Sequence, residues 1–178
     1  MATLPPPSES AMKTAKHPRT ALAGPYGHPF HAMMVTIPIG AWTAAIVFDI
    51  IALARDDEAF ATGAFWLIVI GIAGAAVAAV LGLMDFTVIA KGTRAHKVAL
   101  THMVLNTLAL LLFVGSVLLR LREPDEPSVW GFVVAVVAFL VVGASGFLGG
   151  EIAYRFGVRV ADESTQRTYF EPVQRDEP

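Results

Sequence analysis

Four long apolar stretches with almost no charge lie between residues 31 and 151. A stretch of about 20 apolar residues is long enough to cross the hydrocarbon core of a bilayer as a helix. Charged residues make up only 16% of the chain, whereas soluble domains contain about a quarter. The pattern therefore predicts an integral membrane protein in contact with the lipid bilayer, and it excludes a disordered chain. The predicted spans cover residues 31–53, 63–90, 98–119 and 129–150.

The connections between these spans are short and carry most of the charge in this part of the chain. Short connections make consecutive helices antiparallel neighbours, so the sequence predicts an all-α, up-down four-helix bundle. The predicted transmembrane domain covers residues 28–154. Residues 1–27 are polar and proline-containing and predict a flexible N-terminal tail, while residues 155–178 predict a polar C-terminal tail.

The positions of lysine and arginine predict how the bundle is oriented. The two tails and the 91–97 connection carry ten of these residues, whereas Arg55, Arg120 and Arg122 are the three on the other side. Connections rich in Lys and Arg stay on the cytoplasmic side of a membrane. We therefore expect a protein of the cell membrane (the inner or plasma membrane) with both termini in the cytoplasm.

Other features of the chain exclude several classes of protein. The net charge of −2 argues against a nucleic-acid partner, which needs a clustered basic face. With no cysteine, the chain has no disulfide, thiolate nucleophile or cysteine-ligated metal. No phosphate-binding glycine loop, metalloprotease motif or nucleophile–base motif is present, so the sequence favours a protein that is not an enzyme.

Small residues and one proline predict how the helices meet. Small residues at spacings of three and four allow helix backbones to approach closely. In the second span these are Gly71, Gly74, Ala75, Ala78 and Gly82, and in the fourth span Gly143, Ser145, Gly146, Gly149 and Gly150. In the first span, Pro38 leaves the Met34 carbonyl without its helical donor, which predicts a kink.

One stripe of the third span should face the interior of the bundle. Alternating steps of four and three residues place its members on one helix face. The stripe consists of His102, Asn106, Ala109, Phe113, Ser116 and Arg120. Its polar groups would lack partners in lipid, so we expect them to point inward.

Titratable side chains from all four spans are predicted to lie at one level, near the cytoplasmic boundary. They are His28, His31, Asp85, His96, His102 and Glu151. Ionisable groups at membrane depth usually face an interior or a cavity. The convergence suggests a site, although simpler interpretations stay open: a histidine can bond a backbone carbonyl, Asp85 can pair with Arg94, Lys97 or a histidine, and Glu151 can neutralise Arg155.

Two histidines on different helices could also be the axial ligands of a b-type haem, since imidazole is a common iron ligand. The candidate ligands are His31 and His102, with His28 and His96 as substitutes. Asn106 and Asp85 would then orient a ligand imidazole.

Asp49 and Arg120 are predicted to form a structural ion pair at the opposite membrane face. Asp49 lies 18 residues beyond His31, which is about 27 Å along a helix. Arg120 ends the third span at the same face.

Several motifs, taken together and in order, resemble a known family. They are Gly27-His28-Pro29-Phe30-His31, Ile37-Pro38-Ile39-Gly40, Phe48-Asp49, Ala95-His96, Asn106, Leu148-Gly149-Gly150-Glu151, Tyr154 and Gly157-Val158. Over roughly residues 25–162 the chain resembles bacterial and archaeal predicted membrane proteins that carry a four-helix domain of unknown function. The resemblance implies an integral membrane protein, and the joining of some relatives to Rieske-type domains implies redox partners.

Three functions stay open at this point. The favoured one is a non-enzymatic membrane module, either a scaffold or an accessory subunit packed against membrane protein partners. The second is a redox subunit with one b-type haem near the cytoplasmic face. The third is small-ion or metal transport, for which an oligomer would be needed because four helices enclose only a narrow path.

Overall fold

The computed structural model describes residues 7–171, and in that range the chain contains helices but no strand. The helices are α1 (Pro7–Lys16), α2 (Phe30–Met34), α3 (Thr36–Arg55), α4 (Glu58–Phe86), α5 (Arg94–Arg120), α6 (Val129–Gly150) and α7 (Glu163–Thr168). A 3₁₀ turn covers Ala21–Ala23, and a π-helical turn, Glu151–Arg155, extends α6. Four helical segments are long and apolar enough to cross a membrane: Phe30–Arg55, Glu58–Phe86, Arg94–Arg120 and Val129–Arg155.

Polar side chains define where three of these helices begin. The Asp57 carboxylate accepts from the backbone N–H groups of residues 59 and 60, and the hydroxyls of Thr93 and Ser128 cap α5 and α6 in the same way. These caps satisfy N–H groups that have no partner within the helix. The helices that contain the second and third predicted spans cover Glu58–Phe86 and Arg94–Arg120.

The first span is interrupted where the proline predicts it. Pro38 cannot donate to the Met34 carbonyl, and α2 ends at Met34. The helix resumes with α3 at Thr36, whose hydroxyl donates to the Met33 carbonyl at 2.7 Å. The interruption separates the segment that carries His31 from the rest of the span.

The four spans pack as two antiparallel hairpins. Helix α3 lies along α4, and α5 lies along α6, while α4–α5 and α3–α6 contacts join the hairpins. In the middle of the bundle the rings of Trp42 and Phe113 stack with centroids 3.9 Å apart. Trp42 also donates from its indole nitrogen to the Ile68 carbonyl at 3.3 Å. Ala45, Ala135 and Ala138 complete this fully buried core.

Glycines make the close helix contacts possible on α4. A Cβ at Gly71 would overlap the Trp42 indole, and one at Gly74 would meet Ile37 at 2.8 Å. The prediction of tight packing is correct for this helix but only in part for α6. There Gly149 lies against His102, whereas a Cβ added at Gly143, Gly146 or Gly150 would meet no atom of the described chain within 4 Å.

The two segments predicted as tails fold against one end of the bundle. Ala15 of α1 is buried with Ile89, Ala99 and Val158, and the backbone N–H of Arg159 donates to the Ala15 carbonyl at 3.0 Å. Parts of the segments predicted as a flexible N-terminal tail and a polar C-terminal tail therefore pack on the α4–α5 connection through apolar side chains. Residues 1–6 and 172–178, which include Arg175, lie outside the described residues.

We call this packed element the cap. It consists of residues 7–26 and 156–162. The end of the bundle that it covers, where α2 and α5 begin and α4 and α6 end, is called the capped end.

Candidate functional site

His102 is held at the capped end by bonds to both of its ring nitrogens. Nδ1 donates to the Ser145 carbonyl at 2.7 Å, and the Asn106 amide donates to Nε2 at 3.0 Å. A carbonyl can only accept, so these partners assign the neutral ring with its proton on Nδ1. The buried Ser145 hydroxyl donates to the His102 carbonyl at 3.1 Å. This polar cluster joins α5 to α6.

His31 links α2 to α4 at the capped end, as His102 links α5 to α6. Its Nδ1 donates to the Ala78 carbonyl at 2.8 Å, and the ring lies where a Cβ at Gly82 would otherwise stand. His31, Asp85 and His102 thus all lie at the capped end, on α2, α4 and α5 respectively.

Asp85 is paired with an arginine that the sequence did not single out. The Arg159 Nε atom lies 2.7 Å from the Asp85 carboxylate. The same guanidinium donates through Nη2 to the carbonyls of Ala23 and Gly24, at 2.9 and 3.0 Å. Arg159 is only 3% exposed. It therefore ties the N-terminal part of the cap to the end of α4.

The remaining titratable groups of this level lie nearer the surface. His28 is exposed and its Nδ1 lies 3.3 Å from the Tyr26 carbonyl, while the His96 ring packs on Phe86 with centroids 4.7 Å apart. Glu151 forms ion pairs with both Arg94 and Arg155, at 3.5 and 3.4 Å. The structure therefore does not bring His28 and His96 into the cluster around His102.

Asp49 and Arg120 meet at the opposite end of the bundle. The guanidinium donates from Nη1 and Nη2 to the two carboxylate oxygens, at 2.5 and 2.8 Å. Both side chains are 3% exposed. Gly131 makes room for the arginine, since a Cβ there would overlap the Arg120 Nε atom. The neighbouring Ser116 hydroxyl donates to the Gly131 carbonyl at 2.7 Å.

The bonds of His102 do not fit a role as an axial ligand of a haem iron. Both ring nitrogens of His102 are engaged by protein groups, and an iron would need one of them. The clefts at the two ends of the bundle are lined by other residues. Among residues 7–171, no group of three or more His, Asp or Glu side chains is arranged to hold a metal ion.

Sequence reasoning missed Arg159 and the Tyr26–Asp162 contact. Tyr26 donates its hydroxyl to the Asp162 carboxylate at 3.1 Å and accepts from the backbone N–H of Asp162 at 2.6 Å. Arg159, Tyr26 and Asp162 all belong to segments predicted as tails, where a charged side chain is usually solvated. A weak signal was the largely apolar stretch of residues 156–161, in which Arg159 is the one charged residue.

The four spanning helices, the closed core and the buried ion pairs define a polytopic membrane protein built as a four-helix bundle. A model of the family described as predicted membrane proteins, DUF2231, matches residues 27–162. The chain belongs to this family, as the resemblance in its motifs indicated. Comparison with curated proteins and with solved structures gave no significant match.

Proposed function

We propose that this chain is a non-catalytic membrane module that serves as an accessory subunit of other membrane proteins. One observation carries the proposal: the ionisable groups set deepest in the bundle bond to partners within the chain. Asp49 is bound to Arg120, Asp85 to Arg159, and His102 to Ser145 and Asn106. A catalytic or transport site needs polar groups that remain available to a substrate.

The closed middle of the bundle favours the module over a pore. Trp42, Ile68 and Phe113 fill the centre, and each is at most 4% exposed. Ion movement through a single chain would require these side chains to separate. What the helices do offer is a large apolar outer surface, which in a membrane contacts lipid or the helices of a partner.

Site-specific photo-cross-linking in native membranes tests the proposal. A photoreactive phenylalanine analogue is placed at one exposed position on each span: Val47, Val80, Leu111 and Phe147. An accessory subunit gives a discrete protein adduct from one or two helix faces, and the unirradiated cells give none. Lipid adducts alone at all four positions would show that no stable partner exists and would overturn the proposal.

The competing transport function is tested in the same protein. Purified full-length protein is reconstituted in liposomes, and proton and divalent-metal fluxes are measured under an imposed potential. A module leaves flux at the level of protein-free liposomes. A flux that His102→Ala abolishes would assign transport instead, and a Soret band in protein from haem-replete cells would assign the redox function.

We also propose that the protein resides in the cell membrane with both termini cytoplasmic. The support is the excess of Lys and Arg at the capped end over the opposite end, where Arg120 is already neutralised by Asp49. A reporter fused after Pro178 should be cytoplasmic, and one inserted after Glu123 should be external. The reverse result would invert the orientation.

A further inference from the structure

A cleft of about 390 Å³ opens between α1 and the residues that follow α4. It is lined by Lys13, Thr14, His17, Pro18, Arg19 and Val88. Two of these side chains are cationic, one is titratable, and none is acidic. A second cleft, of about 280 Å³, lies at the opposite end of the bundle, but there Arg122 is accompanied by Glu123 and Glu126. The first cleft therefore has positive charge that its own lining does not balance.

The cap fixes this cleft at a membrane boundary. Val88, which is buried, lies two residues beyond the last residue of α4, Phe86. Helix α1 is attached through the burial of Ala15 and through Lys16, whose ammonium donates to the Val160 carbonyl at 3.4 Å. The cationic side chains are thus held close to the level at which a spanning helix leaves the bilayer.

The cationic groups of the cleft are available to a ligand. Lys13 has an ion pair with Glu9 at 3.4 Å, but the two side chains are 60% and 43% exposed, and an ion pair at the surface is weak. Within residues 7–171, Arg19 forms no ion pair. The His17 ring is fixed by stacking on Tyr26 at 4.5 Å and by a bond from Nδ1 to the Lys13 carbonyl.

We propose that this cleft binds the headgroup of an anionic phospholipid. Lys13 and Arg19 contact the phosphate, and the cap also exposes the apolar side chains of Met12 and Leu22 to the interfacial region. A basic element with apolar side chains, placed next to a spanning helix, is attracted to an anionic membrane surface. A charged oxygen acceptor is also the natural partner of an ammonium and a guanidinium group.

Thermal unfolding of the full-length protein in a neutral detergent tests the proposal. Phosphatidylglycerol, phosphatidylcholine or inorganic phosphate is added at equal concentration. We expect phosphatidylglycerol to raise Tm by about 3 °C over phosphatidylcholine, which is the shift produced by about 1 kcal/mol of binding to the native state. Inorganic phosphate should leave Tm unchanged.

Two double variants separate the cleft from general surface charge. Lys13→Gln/Arg19→Gln should lose most of the phosphatidylglycerol shift. Lys91→Gln/Lys97→Gln removes two exposed cations from the same end of the bundle, outside the cleft, and should keep the shift. Equal shifts in both variants, or equal losses, would overturn the proposal. An equal response to inorganic phosphate would show that the cleft takes a free anion, which also contradicts it.

Discussion

Arg120 and Asp49 form a bidentate ion pair that crosses the bundle from α5 to α3, and both side chains are almost completely buried. It lies at the end of the bundle opposite the cap. Helices α3 and α5 belong to different hairpins, so the pair joins the two halves of the molecule. A buried pair of this kind need not add stability over an apolar pair, but the loss of one partner leaves an uncompensated charge.

Removing one member of this pair should therefore be more harmful than removing both charges. Asp49→Asn and Arg120→Gln should each destabilise the protein by about 3–5 kcal/mol, the usual loss when a buried pair is broken. The double variant should lose less than the sum of the two. Tm in detergent for the wild type and the three variants measures this coupling, and strictly additive losses would contradict a structural role for the pair.

Gly71 should tolerate no larger residue. In Gly71→Ala the new methyl group overlaps the Trp42 indole, which is held between Phe113 and the Ile68 carbonyl. Overpacking of this kind costs about 1–3 kcal/mol, so Tm should fall. The control is Gly143→Ala, another glycine in a spanning helix, whose Cβ would meet no described atom within 4 Å. A fall of equal size in the control would mean that the effect is not one of packing.

His102 should act as a link between α5 and α6 and not as a ligand. His102→Ala removes the bonds of the ring to the Ser145 carbonyl and to the Asn106 amide, and the part-buried Asn106 amide then lacks this partner, at about 1–3 kcal/mol for an unsatisfied group. Tm should fall. Asn106→Ala should lower Tm little further when it is combined with His102→Ala. The absorption spectrum and metal content should be unchanged. A loss of bound haem or metal in His102→Ala would assign a ligand role.

Arg159 should hold the cap against the end of α4. In Arg159→Gln the ion pair with Asp85 and the bonds to the Ala23 and Gly24 carbonyls are lost. Local opening of the cap then costs less free energy. Trypsin should cleave after Lys16 and Arg19 several-fold faster than in the wild type.

The control for this experiment is Arg155→Gln, which removes an exposed partner of Glu151 at the same end. It should leave the cleavage rate unchanged. Equal rates in the wild type and Arg159→Gln would show that other contacts, such as Tyr26 with Asp162, are sufficient to close the cap.

The sequence predicted those features of the structure that depend on a single helix. Apolar length predicted four spans, and the missing N–H of Pro38 predicted the interruption after Met34. The stripe that contains Phe113, Ser116 and Arg120 does face inward, because lipid offers no partners for its polar groups. Apolar length does not give the helix ends, since the capping residues Asp57 and Thr93 lie outside the apolar windows that define a span.

Only the tertiary structure decided which groups meet. Spacing along α5 places His102 on the inner face of that helix. It does not indicate which helix supplies the partner, which is Ser145 of α6 rather than a residue of α3. Asp85 pairs with Arg159, which belongs to the segment predicted as a polar C-terminal tail. A sequence pattern fixes the direction in which a side chain points relative to its own helix. The partner depends on how separate helices and the segments beyond them pack, which is a property of the whole chain.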